Sequence, residues 1–233
     1  MKKIISYSLY GNNPRYTVNS IINAEIAKKI YSDWECRFYY DNSVPIKVIE
    51  KLKCYSNVNL IDMTNRPYHN FQTHHSSKMF WRFMAYDDNI DVVIFRDSDS
   101  YPSIRERDAV NQWLNENKSI HLMREVQPCH RSKIMGGMWG LRKNNKLKSI
   151  IEESAKLNRH PTDQNYLSNS VYPLFENDRV VHDSSNCFGD KTHDWPTERQ
   201  HPEMYIGRTQ GPPDSSLYPE EAKQYEQLIR ETQ

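Results

Sequence analysis

The chain has 233 residues, and its 31 Lys and Arg against 30 Asp and Glu give a formal net charge of +1. This balance argues against a nucleic-acid-binding protein, which usually carries a basic excess. No apolar run is long enough for a membrane helix, and the start Met1–Tyr7 is too polar for a signal peptide. The four cysteines lack paired metal spacing, which predicts reduced thiols and a cytoplasmic protein.

Strands and helices are predicted to alternate through the first half of the chain. Apolar residues recur at helical spacing from Val18 to Ile30, directly after a first apolar strand. This alternation indicates an α/β fold with a mainly parallel sheet and helices on both faces. The predicted strands are Lys3–Leu9, Cys36–Tyr40, Val58–Met63 and Val92–Phe95, and the predicted helices after the first three are Val18–Ile30, Val44–Leu52 and Ser77–Tyr86.

The second half is predicted to be less regular after residue 161. A helix near the C-terminus begins with Glu220 and Glu221 and has Arg230 near its end, a charge order that suits a surface helix and its dipole. We expect a main domain over residues 1–212 and a C-terminal tail over 213–233. The other predicted elements are helices at Arg105–Asn117 and Leu147–Leu157, a strand at Ser119–Met123, a glycine cluster within Ile134–Leu141 and an apolar stretch at Val180-Val181.

Two carboxylates, Asp97 and Asp99, flank Ser98 just after the apolar run Val92–Phe95 and Arg96. Ligands of open α/β sheets bind at the carboxyl ends of strands, and close carboxylates repel each other unless a cation lies between them. Carboxylate oxygens suit Mg²⁺ or Mn²⁺, completed by substrate phosphate oxygens. The motif therefore predicts a metal-bridged diphosphate and a nucleotide-activated substrate. The alternative is two solvated acids in a turn before Pro102.

An aspartyl-phosphate phosphohydrolase is the rival enzyme class, because it also uses Asp-x-Asp after a strand. Its motif resembles Asp-x-Asp-x-Thr on the first strand of the domain. Here Tyr101 replaces the threonine and three predicted strands come before the motif. A sugar-nucleotide-binding module without catalysis is a third possibility.

The order of motifs along the chain resembles GT-A-type nucleotide-sugar glycosyltransferases, most of all small viral and bacterial enzymes that build surface glycans. The resemblance extends from Lys3 to about Thr209. It implies a GT-A-like α/β domain, a nucleoside-diphosphate sugar donor with UDP as the expected nucleotide, and a glycan or glycoconjugate acceptor. The motifs are Lys78-x-x-x-Arg82, Asp97-Ser98-Asp99, Gly136-Gly137, Thr162-Asp163-Gln164, His182-Asp183-Ser184 and Trp195-Pro196-Thr197-Glu198-Arg199.

The resemblance implies that Asp97 and Asp99 hold the metal ion and that His182 completes the protein ligands. An imidazole beside two carboxylates favours Mn²⁺ over Mg²⁺. His193 is the second candidate for the histidine ligand. The alternative for His182 is a structural histidine at the end of a strand.

Donor binding is expected to involve several further residues. Ser6, Tyr7 and Tyr10, together with Ser8, end the first strand, where this fold generally holds the base and ribose; the alternative is a half-buried strand. Lys78 and Arg82 share a face of the predicted helix and would contact the diphosphate or donor sugar, unless they face water. Ser98 is a further candidate, beside the metal. Gly136 and Gly137 would allow close approach of a sugar ring, or form a tight turn. Lys191 and Arg199 would lie in a loop that closes over the leaving diphosphate, or in a disordered polar loop.

Asp163 is the candidate acid for the chemical step. In an inverting transferase it would deprotonate the acceptor hydroxyl, and in a retaining one it would orient the sugars. Its place at a predicted helix start is equally explained by helix capping. The sequence predicts a metal-dependent glycosyltransferase and leaves its stereochemistry open.

Overall fold

A seven-stranded sheet runs through the part of the chain that the computed structural model describes, residues 1–66, 75–87, 89–125, 132–143 and 163–232. The order across the sheet is β3-β2-β1-β4-β6-β5-β7. The expectation of a mainly parallel sheet flanked by helices is confirmed. The strands are β1 Lys3–Leu9, β2 Glu35–Tyr40, β3 Val58–Asp62, β4 Val92–Phe95, β5 Ile120–Arg124, β6 Trp139–Arg142 and β7 Arg179–Asp183.

The helices begin where capping residues allow it. The Asn13 side chain accepts a hydrogen bond from the Arg15 amide at the start of α1, and Ser103 does the same for Glu106 at the start of α3. The helical segments are α1 Pro14–Ile30, α2 Ile46–Lys53, a 3₁₀ helix His75–Asp87, α3 Ile104–Asn115, α4 Asp163–Tyr166, a π-helical turn Leu167–Val171, a second 3₁₀ turn Tyr172–Phe175 and α5 Pro219–Thr232.

One strand, β6, is missing from the sequence-based prediction, which treated its residues as part of a glycine cluster. It pairs antiparallel with both β4 and β5, whereas β1 to β4 pair in parallel with one another and β5 pairs in parallel with β7. Gly140 lies opposite Ile94 on β4, and a methyl group at Gly140 would come within 3.0 Å of both Ile94 and Trp113. Close packing therefore requires glycine within a strand.

Two hydrophobic cores cover the two faces of the sheet. Ile5 and Tyr7 of β1 belong to the core that packs against α1 and α2. Ile4 of the same strand belongs to the opposite core, together with Trp81 and Phe83 of the first 3₁₀ helix. Successive residues of a strand point to opposite faces, so β1 contributes apolar side chains to both cores because both of its faces are covered.

Several predicted boundaries differ from the observed ones. The predicted helix Ser77–Tyr86 is a 3₁₀ helix, and the predicted helix Leu147–Leu157 lies outside the described residues. The predicted C-terminal helix is present as α5, whose Tyr225 and Leu228 are buried in the core on the α1 side. The division at residue 212 stays a prediction.

The prediction that all four cysteines are reduced is wrong. Cys36 and Cys54 are free thiols, but Cys187 is disulfide-bonded. Cys129 lies outside the described residues. Sequence spacing does not show which distant cysteines approach each other in the fold, and the inference of a cytoplasmic protein loses its chemical basis with this bond. Among the helices in the described ranges, none is long and apolar enough to cross a membrane.

Candidate active site

An open cleft of about 500 Å³ lies at the carboxyl ends of β1 and β4. It brings together many of the residues that the sequence predicts for donor and metal binding. Its lining residues are Ser8, Tyr10, Tyr16, Met79, Arg82, Asp97, Ser98, Asp99 and Thr209.

The acidic motif occupies a turn that is anchored on both sides. The Arg96 amide donates the last hydrogen bond to β1 at Ser6 (3.0 Å), and the buried Arg96 guanidinium bonds Glu106 of α3 (2.8 Å). The Ser98 carbonyl accepts a hydrogen bond from Asn23 of α1 (2.9 Å). The end of β4 therefore directs the carboxylates of the motif towards the cleft while its apolar residues remain buried.

Arg82 joins Asp97 to Asp163 through both nitrogens of its guanidinium. Its Nη1 lies 2.5 Å from Asp97 Oδ1, and its Nη2 lies 2.5 Å from Asp163 Oδ2. Burial alone would lower the pKa of Arg82, but the two carboxylates outweigh this effect and raise that pKa, so the guanidinium stays charged. The side chains of Arg82 and Asp163 are almost completely buried, whereas that of Asp97 is 47% exposed. The cleft thus contains one half-exposed carboxylate, that of Asp97, which is held by the buried ion pair of Arg82 and Asp163.

Asp99 is paired with Arg15, a residue that the sequence analysis missed. Nε and Nη2 of Arg15 each lie 2.7 Å from Asp99 Oδ2. Burial, followed by the charge of Asp97, raises the pKa of Asp99 despite the guanidinium. The sequence does show a basic residue in the first turn of the helix that follows the first strand. No neighbouring residue, however, indicates that it pairs with an aspartate 84 residues away.

Gly136 and Gly137 lie directly against this ionic group. A methyl group at Gly136 would overlap the carboxylate of Asp163 and lie 2.6 Å from Arg82 Nη2. A methyl group at Gly137 would overlap the carboxylate of Asp97. The glycine pair is therefore required for the approach of the protein's own carboxylates, while the predicted contact with a sugar ring stays a prediction.

Asp163 begins α4, as the sequence predicted, and both of its carboxylate oxygens have partners. Oδ1 accepts a hydrogen bond from the Gln164 amide (2.8 Å) and Oδ2 binds Arg82. The structure therefore brings Asp163 to the acidic motif through a shared arginine. Its role as a general base stays a prediction.

The residues of β1 divide between two faces of the sheet. Ser6 Oγ donates to the Arg82 carbonyl (2.6 Å), and Ser8 Oγ accepts from the Arg82 amide (2.9 Å), so both serines support the segment that carries Arg82. Tyr7 points to the other face, where it is fully buried and stacks on Phe38 with ring centroids 4.7 Å apart. The predicted contact of Tyr7 with the nucleotide is therefore corrected, because strand alternation turns it away from the cleft.

Lys78 and Arg82 do not share a face as predicted. A 3₁₀ helix has three residues per turn, so residues four apart diverge around its axis. Lys78 Nζ lies 2.5 Å from Asp41 Oδ2 and 5.8 Å from the centre of the Tyr10 ring. Lys78 thus lies beside Tyr10 of the cleft, and its ammonium group pairs with the carboxylate that follows β2.

His182 is not brought to the acidic pair. It lies on β7, at the edge of the sheet, with Nδ1 2.9 Å from His121 Nε2 and Nε2 3.2 Å from Gln112 Oε1. Burial lowers the pKa of His182 to about 4. In the described ranges, no three or more His, Cys, Asp or Glu side chains are grouped so as to hold a metal ion. The predicted set of Asp97, Asp99 and His182 is therefore corrected, because a position at a strand end does not reveal where that strand lies in the sheet.

The second-choice histidine and the basic loop also lie away from the cleft lining. His193 Nε2 is 2.9 Å from Glu116 Oε1, and its ring is next to that of His182. Arg199 Nη2 lies 2.9 Å from Glu125 Oε1, and its Nη1 donates to the Pro202 carbonyl. Lys191 is exposed. Closure of this loop over a diphosphate stays a prediction.

No family model matches the chain, and no curated protein matches it in sequence. Solved structures do match. Residues 1–349 of S. aureus TarS match with a TM-score of 0.51 and 14% identity over 79% of this chain and 58% of the TarS fragment. The 4-diphosphocytidyl-2C-methyl-D-erythritol synthase from Anaerococcus prevotii matches with a TM-score of 0.52 and 14% identity over 79% of this chain and 90% of the synthase.

The fold is GT-A-like. A glycosyltransferase involved in glycosylation of the major capsid of PBCV-1 is also similar, at a TM-score of 0.49 and 14% identity over 78% of this chain and 82% of that one. The TarS fragment in complex with UDP matches at a TM-score of 0.51 and 13% identity. At these identities the likeness establishes the fold, and the activity must be argued from the cleft.

Proposed function

We propose that this protein is a metal-dependent glycosyltransferase that transfers a sugar from a nucleoside-diphosphate sugar to a glycan or glycoconjugate. The observation that carries the proposal is the cleft at the carboxyl end of β4, where Asp97 and Asp99 face a space of about 500 Å³ in a GT-A-like fold. The UDP complex of the similar TarS fragment makes UDP the first nucleotide to test.

The carboxylate pair suits a divalent cation. Burial, followed by the charge of half-exposed Asp97, raises the pKa of Asp99, so two negative groups repel each other at the cleft. A cation between them would relieve this repulsion, and diphosphate oxygens and water would complete its shell, as is usual for Mg²⁺. Without an imidazole ligand, the reason for preferring Mn²⁺ is lost, and either ion fits. When bound, the ion would act as a Lewis acid on the leaving diphosphate.

The chain's own residues would bind the donor and hold the site in shape. Tyr10 and Tyr16 offer aromatic faces and hydroxyls to the base or sugar. Arg82 keeps Asp97 and Asp163 at fixed separation, and its buried positive charge favours negative charge developing on the leaving group. Both Asp163 oxygens have partners, which favours an orienting role for Asp163 over proton abstraction.

Product analysis tests the proposal directly. The protein would be incubated with UDP- and GDP-sugars, with Mn²⁺ or Mg²⁺, and with and without mixed oligosaccharide acceptors. We expect nucleoside diphosphate release that an acceptor accelerates and that Asp97→Asn abolishes. Release of inorganic phosphate without acceptor dependence would instead identify the phosphohydrolase alternative. Metal-dependent UDP binding without turnover of any donor would identify a binding module.

Nucleotidyl transfer is a second candidate, because the match to the synthase includes 90% of the synthase chain at a TM-score of 0.52. Such an enzyme would bind a nucleoside triphosphate and release pyrophosphate. A coupled pyrophosphate assay with CTP or UTP and sugar phosphates separates the two reactions. Pyrophosphate release in that assay, with no turnover of nucleotide sugars, would replace the first proposal with the second.

A further inference from the structure

We infer that Arg15 is a further donor-site residue that exchanges partners: it pairs with Asp99 in the free protein and binds the donor diphosphate once a divalent cation occupies the acidic pair. The inference rests on the proposed function and names a residue that the sequence pattern did not indicate.

The two partners of this ion pair differ in their freedom to move. The Asp99 side chain is 6% exposed, whereas that of Arg15 is 41% exposed. The Asp99 carbonyl is also held by the Gln210 amide, 2.5 Å away. A partner change at this pair would therefore move the arginine head group and leave the aspartate in place.

The Arg15 stem is guided along one path. A methyl group at Gly211 would lie 2.5 Å from Arg15 Cγ and 2.9 Å from Cδ, so the observed path of the stem depends on glycine at this position. Asn19 ties this region to α1, since its amide donates to the carbonyls of Arg15 (2.9 Å) and Gln210 (3.0 Å). The stem is positioned by the backbone while the guanidinium remains partly in solvent.

The guanidinium also lies next to the cleft lining. It is 5.6 Å from the centre of the Tyr16 ring, and Tyr16 and Asp99 both line the cleft. A short swing of the head group keeps it at the same rim. A planar guanidinium binds phosphate oxygens with two parallel hydrogen bonds, which makes it well suited to a diphosphate.

Charge balance supplies the driving force for the exchange. A divalent ion on Asp97 and Asp99 cancels their two negative charges, so Arg15 loses its attraction to Asp99 and is repelled by the ion. The same ion brings the diphosphate, which offers the arginine a new anionic partner. Arg15 and the metal therefore compete when no donor is present and cooperate when it is.

The test measures two affinities by calorimetry in wild type, Arg15→Gln and Arg15→Lys: Mn²⁺ alone, and UDP at saturating Mn²⁺. We expect Arg15→Gln to bind Mn²⁺ alone more tightly and UDP at least about tenfold more weakly, which is the value of one charge-assisted hydrogen bond. Arg15→Lys keeps the positive charge but lacks the paired donors of the guanidinium, so it should recover part of the UDP affinity. Lys29→Gln is the matched control, because it removes an exposed positive charge from the same helix where Lys29 pairs with Glu25.

Affinities that shift together, or UDP affinity that Arg15→Gln leaves unchanged, would overturn the exchange and identify Arg15 as a counter-ion of Asp99 only. The proposed function would survive that result. If wild-type protein shows no metal-dependent UDP binding, the proposed function itself fails, and the exchange fails with it.

Discussion

In the part of the chain that the structure describes, two arginines each bridge two aspartates, and the difference between them separates a candidate binding site from a structural one. Arg82 joins Asp97 to Asp163 at the cleft, and Arg124 joins Asp183 to Asp190 beside β7. Of the two groups, the cleft group alone contains a half-exposed carboxylate, since the Asp97 side chain is 47% exposed while those of Asp183 and Asp190 are at most 1% exposed.

The hydrogen bonds of the two groups follow the same division. Asp183 Oδ1 accepts from Ser185 and Asn186, and Asp190 Oδ1 accepts from the Tyr172 hydroxyl at 2.7 Å. Burial would raise the pKa of both aspartates, but the hydrogen bonds and Arg124, with Arg179 also acting on Asp190, outweigh burial and lower both pKa values. At the cleft, burial and Asp97 instead raise the pKa of Asp99. Satisfied carboxylates stabilise the fold, whereas repelling ones leave a place for a cation.

The largest expected effect is on the structural group. Arg124→Gln leaves buried Asp183 without its cation, while Asp190 keeps Arg179 at 2.6 Å, and breaking such a buried pair costs about 3–5 kcal/mol. Urea unfolding should therefore show a large loss in the free energy of unfolding, and nucleotide binding should decline only with the folded fraction. A stable variant that has lost nucleotide binding would reverse the roles assigned to the two groups.

Asp97→Asn is the corresponding test at the cleft. Removing the exposed carboxylate should lower the transfer rate by at least about 100-fold, as loss of a preorganised electrostatic group does. The free energy of unfolding should change little, because the side chain is half-exposed and keeps its volume. Calorimetry should also show that Mn²⁺ no longer strengthens UDP binding. Wild-type metal enhancement in this variant would contradict the site.

The acid stability of the histidine group gives an intermediate effect. The pKa of His182 is lowered to about 4, so between about pH 6.5 and 4 the unfolded chain binds a proton that the folded chain does not. Stability is therefore complete above this window and falls as pH decreases, by about 2 kcal/mol between pH 7 and 5. His182→Gln should make the urea-derived pH profile less steep and leave the part due to His121, whose pKa is also lowered by burial, whereas exposed His201→Gln should leave the profile unchanged. An unaltered profile in the first variant would argue against a buried neutral imidazole.

The last prediction concerns Gly137→Ala, which adds a single methyl group beside Asp97. Gly137→Ala forces the Asp97 carboxylate to move, because the added carbon would overlap it. We expect weaker metal-dependent UDP binding with a loss of stability of about 1–3 kcal/mol, in the range of overpacking changes. Gly189→Ala is a useful contrast for stability alone, since a methyl group there meets no atom within 4 Å although its φ of +69° strains any side chain. Equal UDP affinity in wild type and Gly137→Ala would show that the close approach is not needed for binding.

Features that depend on neighbouring residues could be predicted from the amino-acid sequence alone. The apolar pattern located β1 and β4 with their observed bounds and placed Asp97 and Asp99 at a strand end. Such patterns are informative because residues on one face recur every two positions in a strand and every three to four positions in a helix. The start of α4 at Asp163 was also readable from its capping chemistry. An α/β fold with a carboxylate pair at the edge of the sheet follows from these local signals.

The contacts between residues far apart in the sequence become visible in the folded protein. It inserted β6 antiparallel beside β4, turned Tyr7 into the core, placed His182 on an edge strand and joined Arg15 to Asp99 across 84 residues. None of these is visible in the sequence, because the position of a strand in the sheet and the partner of a charge depend on the packing of the whole chain. The local sequence pattern indicates that a residue is buried, but its packing partners are determined by the fold.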